Sequence, residues 1–185
     1  MKINKAISLC KKSGIVCIYD TPAGLQWISN REAAFPMMNM PEFTPEMLCY
    51  AHDITEKQQE KLLFVHTELP DALSFEDCVP GEEQAEEYGL IIHTNSKTVI
   101  PLRTTKGTFF IDESLLAPIS DTPDVFFWLR ISKSGKPYFA AKRGFEIVGV
   151  ICPVVGIVNE TFTDSLRELY EECRIMMLNQ RESTQ

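Results

Sequence analysis

The part of the sequence that decides the fold is residues 125–152, which read VFFWLRISKSGKPYFAAKRGFEIVGVIC. Three β-rich runs, at 125–131, 137–141 and 145–152, are separated by the turn pairs Ser134-Gly135 and Arg143-Gly144. Short turns of this kind join neighbouring strands of opposite direction, whereas parallel strands need a long crossover connection. The stretch therefore predicts a three-stranded antiparallel meander.

The β pattern extends over most of the chain that precedes this meander. Further β-rich runs occupy residues 15–19, 25–28, 63–67, 88–93, 98–102 and 108–111. Residues 3–12 place their apolar side chains on one side of an amphipathic helix, and residues 113–117 predict a short helix before Pro118. We therefore expect an α+β fold, in which an antiparallel sheet carries a few packed helices.

The order of these elements is repeated. Helix 3–12 is followed by a hairpin and a strand that ends at Pro36, and helix 113–117 is followed by a hairpin and a strand that ends at Pro153. The two copies share negligible sequence identity, so the repeat is one of pattern. We predict that the two parts superpose about an approximate two-fold axis.

The C-terminal segment predicts a long amphipathic helix over residues 164–180, outside the β-rich region. Its apolar side chains recur at helical spacing; they are Phe162, Leu166, Leu169, Tyr170, Cys173, Met176 and Met177. For the chain as a whole we expect one compact domain over 1–185. Its possible halves are 1–75 and 88–160, separated by an exposed acidic loop at 76–87.

Charge is unevenly distributed along the chain, whose formal net charge is −8. Residues 42–87 contain thirteen acids and two lysines, a local net charge of −11, so the remainder carries +3. The stretches 1–19, 88–111 and 125–145 contain no acid. Such a molecule presents a cationic face to a polyanion if those stretches meet on one surface.

The cationic stretches supply the candidate nucleic-acid contacts. Lys5, Lys11 and Lys12 share the polar side of helix 3–12 with no competing acid, and Arg130, Lys136 and Lys142 lie in the acid-free meander. We predict that these six side chains share one surface and contact phosphates without reading sequence. The competing interpretation is an ordinary solvated face.

Four of the seven methionines lie within residues 37–47, beside three prolines. Met37, Met38 and Met40 are candidate partner contacts, because flexible thioether side chains repack easily against a partner. Their alternative role is to fill the core beneath an irregular loop, and the sequence favours neither.

Sequence patterns of catalysis are weak. A thiol, an imidazole and a carboxylate lie close together in Cys49, His52 and Asp53, but adjacency in sequence does not bring a base to a nucleophile. No Walker loop, dinucleotide fingerprint, nucleophile elbow or HExxH motif occurs. The sequence therefore predicts no enzyme, no cofactor and no metal site.

The location expected from sequence is cytoplasmic, with no membrane association. No apolar run reaches the roughly 18 residues that cross a bilayer. The lysines of residues 1–12 interrupt any signal-peptide core. The six scattered cysteines are expected to be free thiols.

Residues 108–154 resemble the closing segment of a sliding-clamp domain, in the family of DNA polymerase processivity factors. The resemblance is carried by FIDESLL (110–116), SGKP (134–137) and GVICPV (149–154). Residues 24–28 (GLQWI) and 34–37 (AFPM) are similar to segments of small bacterial prophage proteins. The chain is short for a clamp subunit, and helix 164–180 extends beyond the point where clamp chains end. The resemblance implies a ring or ring-fragment role in DNA replication, with DNA and replication or host proteins as partners.

The function expected from the sequence is therefore non-enzymatic: a prophage-type, clamp-like protein that contacts nucleic acid through its cationic face. The alternative is a protein–protein interaction or homo-oligomerisation module that binds no nucleic acid. In that alternative, the C-terminal helix and the methionine-rich loop form the interface.

Overall fold

The computed structural model describes residues 1–94 and 96–182 of the chain. These residues form two compact units, Met1–Pro153 and a second that begins at Val154. The C-terminal helix belongs to the second unit, and the single domain expected from the sequence over 1–185 stays a prediction. The β-rich part of the chain is contained in the first unit.

The first unit contains four helices and twelve strands within its described residues. The helices are α1 (Ile3–Ser13), α2 (Pro45–Ala51), α3 (Glu56–Gln59) and a 3₁₀ helix (Glu113–Ile119). The strands are β1 (Ile15–Asp20), β2 (Gln26–Ser29), β3 (Ala33–Pro36), β4 (Leu63–Glu68), β5 (Glu83–Gln84), β6 (Glu86–Glu87), β7 (Ile92–His93), β8 (Thr98–Thr104), β9 (Gly107–Asp112), β10 (Val125–Ile131), β11 (Pro137–Arg143) and β12 (Glu146–Ile151).

An eight-stranded sheet with the order β4-β1-β2-β3-β12-β11-β10-β5 dominates the unit. Strands β10, β11 and β12 form the antiparallel meander predicted from residues 125–152, with a bulge between Ala141 and Lys142. All neighbours in this sheet are antiparallel except β1 and β4, which are parallel. The α+β class expected from sequence is confirmed.

The repeated order of elements is present in the sheet. Each copy is a helix followed by a three-stranded meander, α1-β1-β2-β3 in one and the 3₁₀ helix-β10-β11-β12 in the other. Their last strands, β3 and β12, pair antiparallel through Ala34 with Val150 and Ala33 with Ile151. An antiparallel pair of equivalent strands places an approximate two-fold axis between the copies, perpendicular to the sheet.

Gly149 lies at this seam between the two copies. A Cβ at this position would come 3.1 Å from the Phe35 ring of the neighbouring strand. A side chain at this position would displace the ring by a few tenths of an ångström, so glycine favours the close approach of β3 and β12.

One face of the large sheet is covered by α1, the 3₁₀ helix and a smaller sheet. That smaller sheet has β8 paired with β6, β7 and β9. The core on this face includes Ile7 and Cys10 of α1, Leu115 of the 3₁₀ helix, Ile111 of β9 and Phe139 of β11. The apolar stripe predicted on helix 3–12 is therefore buried, and the helix ends at Gly14 in the left-handed conformation.

The opposite face of the large sheet is covered by the segment 69–82. The Phe75 ring packs edge-on against Trp27 at 4.8 Å, and the backbone N–H of Ser74 donates to the Tyr138 hydroxyl at 3.0 Å. Asp77 accepts from the backbone N–H of Ile147 at 2.9 Å. The first part of the acidic loop predicted over 76–87, residues 76–82, thus belongs to the segment that lies across the sheet and closes a second apolar cluster.

The second unit contains helix α4, Glu160–Glu182. It extends the helix predicted over 164–180 by a turn at its N-terminal end, where the Asn159 side chain accepts from the backbone N–H of Phe162 at 2.9 Å. Side-chain capping of this kind satisfies one of the free N–H groups at a helix start.

Candidate functional site

Helix α1 places its lysines beside the 3₁₀ helix. Ala6, Ile7, Leu9 and Cys10 bury one side of α1, so the other side faces solvent. The backbone N–H of Lys2 donates to the carbonyl of Pro118 at 2.7 Å, which ties the start of α1 to the 3₁₀ helix. A groove therefore runs alongside α1.

This groove, the α1 groove, has a volume of about 890 Å³. Its cationic lining is Lys2, Lys5, Lys12 and Lys97. The rest of its polar lining consists of two carboxylates, Asp112 and Glu113, and of hydroxyl side chains; the hydroxyl residues are Thr94, Ser96, Thr98, Ser114 and Ser120. Amines and hydroxyls both donate hydrogen bonds, so the lining suits an anionic ligand.

Two of the four lysines are neutralised by carboxylates. Lys97 lies 3.3 Å from Asp112 and 3.6 Å from Glu32, and Lys2 pairs with Asp121. In the described part of the chain, Lys5 and Lys12 form no ion pair. Their ammonium groups are the cations of the groove that remain outside an ion pair, and the exposed carboxylate of Glu113 lines the same groove.

Asp112 is held ionised by its neighbours. Burial would raise the pKa of this carboxyl, but hydrogen bonds from Ser114 and Lys97 outweigh it and hold the pKa below its ordinary value. Ser114 donates from its backbone N–H at 2.9 Å and from its hydroxyl at 2.6 Å. Asp112 thus caps the 3₁₀ helix and fixes Lys97 at the groove wall.

The other predicted cations lie elsewhere. Lys11 is half-buried and is not part of the groove lining, and Lys136 is exposed in the turn between β10 and β11. Arg130 and Lys142 are buried, with side-chain exposures of 1% and 3%. The prediction that all six cations share one surface is wrong.

The alternation of side chains between the two faces of the sheet explains why the six cations do not share one surface. Arg130 pairs across strands with Tyr138, and Lys142 with Phe126, so both cations point to the face covered by segment 69–82. Successive side chains of a strand point to opposite faces, and α1 packs on the face of Phe127 and Phe139. The lysines of α1 are therefore separated from Arg130 and Lys142 by the sheet.

Glu82 holds the two buried cations. Its carboxylate accepts from Arg130 Nε at 2.8 Å and also binds Lys142 Nζ. Arg130 Nη2 also lies 2.7 Å from this carboxylate. The two Nη atoms donate further to the carbonyls of Ser74, Glu76 and Asp77, at 3.2, 2.9 and 3.2 Å. Arg130 thereby fastens segment 69–82 to the sheet, a structural role.

The electrostatics of this triad follow from its hydrogen bonds. Burial would raise the pKa of Glu82, but the hydrogen bonds from Lys142 and Arg130 outweigh it and hold the pKa below its ordinary value. Lys142 Nζ also lies 4.8 Å from the centre of the Trp128 ring, a favourable cation–π distance.

The three methionines predicted as partner contacts differ in their exposure. Met37 is 2% exposed and belongs to the core, so its predicted partner contact is wrong. Met40 packs against that core half-buried. Met38 is 44% exposed and is the member of the three that a partner reaches.

Cys49, His52 and Asp53 do not assemble a nucleophile. The Nδ1 atom of His52 lies 2.9 Å from Asn4 Oδ1, and Asp53 has a left-handed backbone conformation with φ of 50°. Burial, together with the negative charge of Glu46, raises the pKa of the Cys49 thiol. A nucleophilic cysteine needs the opposite shift.

We expect Cys49 to react more slowly with a disulfide reagent near neutral pH than Cys78 and Cys173, the two exposed cysteines. The reason is that little thiolate forms at a buried thiol of raised pKa. Reaction rates measured by mass spectrometry against a Cys49→Ser control test this. A Cys49 that is modified first, at acidic pH, contradicts it.

Groove residues that the sequence did not predict include Lys2, Lys97, Asp112 and Ser114. Lys97 carried a signal, because it lies in the acid-free stretch 88–111. No sequence signal marks Asp112 and Ser114 as site residues, because their position beside α1 depends on how the 3₁₀ helix packs.

Comparison with known proteins identifies no relative: the chain matches no protein-family model, no curated protein and no solved structure. Among the described residues, no helix is both long and apolar enough to cross a bilayer. In the same residues, no three His, Cys, Asp or Glu side chains come together in a way that holds a metal ion.

Proposed function

We propose that this chain is a binding protein that contacts the phosphate backbone of a nucleic acid through Lys5 and Lys12 in the α1 groove. The observation that supports this most is the pair of unpaired lysines in a hydroxyl-lined groove, on a chain whose net charge is −8. A local positive site on an acidic protein steers a polyanion to that site and repels it elsewhere.

The spacing of the two lysines suits this ligand. Lys5 and Lys12 are seven residues apart, so they lie on one side of α1 at a separation of about 10.5 Å along the axis. Each lysine carries its ammonium group on a flexible four-carbon stem. The pair can therefore reach two phosphates of one strand.

Binding of this kind is electrostatic and weakens with salt. Phosphate contacts set position and carry no sequence information. With few lysines involved, the complex forms at low ionic strength and dissociates as salt rises, because counterion release supplies its free energy.

We expect K5E/K12E to abolish binding of a short fluorescent DNA at low salt and K57E/K61E to retain it. Both variants change the net charge equally, but Lys57 and Lys61 are exposed outside the groove. In K5A/K12A the slope of log K against log salt should fall by about 2. Fluorescence anisotropy across a salt series gives both readouts. Absence of binding by the wild-type chain, or equal loss in both charge-reversal variants, contradicts the proposal.

The ring or ring-fragment role implied by the sliding-clamp resemblance stays a prediction. If the chain acts in a ring, short linear DNA slides out of it, so retention on circular but not linear DNA in the presence of loader proteins is the informative assay. Equal absence of retention on both DNAs counts against the ring role.

A second candidate function is a protein–protein interaction or homo-oligomerisation module. The observation that favours it is α4, whose large apolar side chains are exposed over most of its length. This candidate does not depend on the α1 groove.

A further inference from the structure

Helix α4 carries an apolar stripe with the spacing of a coiled coil. Leu166, Leu169, Cys173 and Met176 are separated by three, four and three residues, which are successive a and d positions of a heptad repeat. Tyr170 and Met177 follow the two d positions and widen the stripe. The five side chains other than cysteine are between 40% and 64% exposed, and Cys173 is exposed as well.

A helix of this kind gains most of its stability from packing. At 23 residues, α4 is about 34 Å long, yet isolated helices are marginally stable in water without a partner for their apolar side. Exposed i,i+3 pairs, Arg167 with Asp164 and Arg174 with Glu171, contribute little. The stripe therefore needs an apolar surface of matching length.

We propose that α4 pairs antiparallel with α4 of a second copy of this chain. Charge along the helix selects this arrangement. Residues 160–172 contain five acids and one arginine, whereas residues 173–182 contain two arginines and one acid. A parallel pair places the acidic half of one helix beside the acidic half of the other. An antiparallel pair sets each acidic half against the arginine-containing half, and the two helix dipoles oppose one another favourably.

The same arrangement gives a consistent register. With the two-fold axis passing near residue 171, every a position faces a d position of the second copy. Leu166 then packs against Met176 of the second copy, and Leu169 packs against Cys173 of the second copy. Because the axis is two-fold, each of these layers occurs twice, which is the self-complementarity that a symmetric dimer requires.

Sedimentation or light scattering over a concentration series tests the pairing in the full chain. The wild-type mass should rise from 21.0 kDa towards twice that value. L169E/M176E should remain at the monomer mass. The matched control I175E/L178E should still dimerise, because Ile175 and Leu178 are exposed apolar residues of the same helix that lie outside the stripe.

Distance measurement between spin labels tests the direction of pairing. A nitroxide attached through a ketone-bearing unnatural amino acid at position 161, which leaves Cys173 in place, should lie about 30 Å from its copy in the antiparallel pair. A parallel pair brings the labels to within the interaxial separation of roughly 10 Å plus the reach of the labels. The long distance supports the proposal.

Four results would overturn the pairing proposal: a short label distance, a wild-type chain that stays monomeric, an assembly larger than a dimer, or equal disruption by I175E/L178E. The outcome is separable from that of the α1 groove, because K5E/K12E should leave the dimer mass unchanged.

Discussion

Replacement of Glu82 by glutamine is expected to lower the free energy of unfolding by about 3–5 kcal/mol, because it leaves two buried cations without their anion. The Glu82 side chain is 11% exposed, and its partners Arg130 and Lys142 are almost fully buried. Glutamine keeps the size and one acceptor of the side chain but removes the charge. Urea unfolding at neutral pH measures the loss.

Glu76→Gln is the matched control for this variant. Glu76 lies in the same acidic segment and is exposed, and Arg130 contacts its backbone carbonyl instead of its side chain. Its replacement should therefore change stability by no more than about 0.5 kcal/mol. A stability of E82Q within the range of the control would show that the triad does not stabilise the fold.

The Glu82 carboxylate also makes the free energy of unfolding depend on pH in acid. Because the pKa of Glu82 is lower in the folded chain than its ordinary value, the triad's contribution is fully present above the ordinary pKa, near 4.3. This contribution is lost as pH falls through the lower pKa that Glu82 has in the folded chain. The stability difference between wild type and E82Q should therefore be constant from neutral pH to about pH 5 and should shrink in stronger acid.

Replacement of Phe139 by alanine is expected to cost about 3–5 kcal/mol of stability. Phe139 is 0% exposed at the centre of the core between the two sheets. Its ring packs edge-on against Phe109 of β9, with centroids 5.8 Å apart. Alanine removes this contact and leaves a cavity at the point where β11 meets the smaller sheet.

Phe145→Ala is the control for the core variant. Phe145 lies in the turn between β11 and β12 and is 84% exposed, so its loss should change stability by about 0.5 kcal/mol or less. Denaturant midpoints and slopes measured for both variants give the comparison. A Phe139→Ala chain as stable as the control would contradict the shared core.

Much of the fold was accessible from local patterns. The meander of residues 125–152 followed from alternating β-rich runs and two glycine turns, which act over a few residues. A capping box is equally local: the Gln58 side chain accepts from the Thr55 backbone N–H at 3.2 Å. The repeat was visible as an order of elements, because each copy is built from local units.

The candidate site was accessible only in part. Lys5 and Lys12 follow from the helical periodicity of residues 3–12, which separates buried from exposed positions. The contribution of Lys97 to the groove does not follow from helical periodicity, because Lys97 lies 85 residues after Lys12 in the chain. Asp112 and Lys97 come close to α1 only because the 3₁₀ helix packs beside α1.

Local sequence patterns predicted the meander of residues 125–152, the helices at 3–12 and 164–180, the polar side of α1 and the apolar stripe of α4, because periodicity and turn residues act within one element. They did not predict α2, β5 or β6. The tertiary structure alone decided which cations remain available to a ligand. Arg130 and Glu82 are 48 residues apart, and Lys142 and Glu82 are 60 apart. Their meeting depends on segment 69–82 crossing the sheet, and the burial of a charge is set by the partner that the fold brings to it.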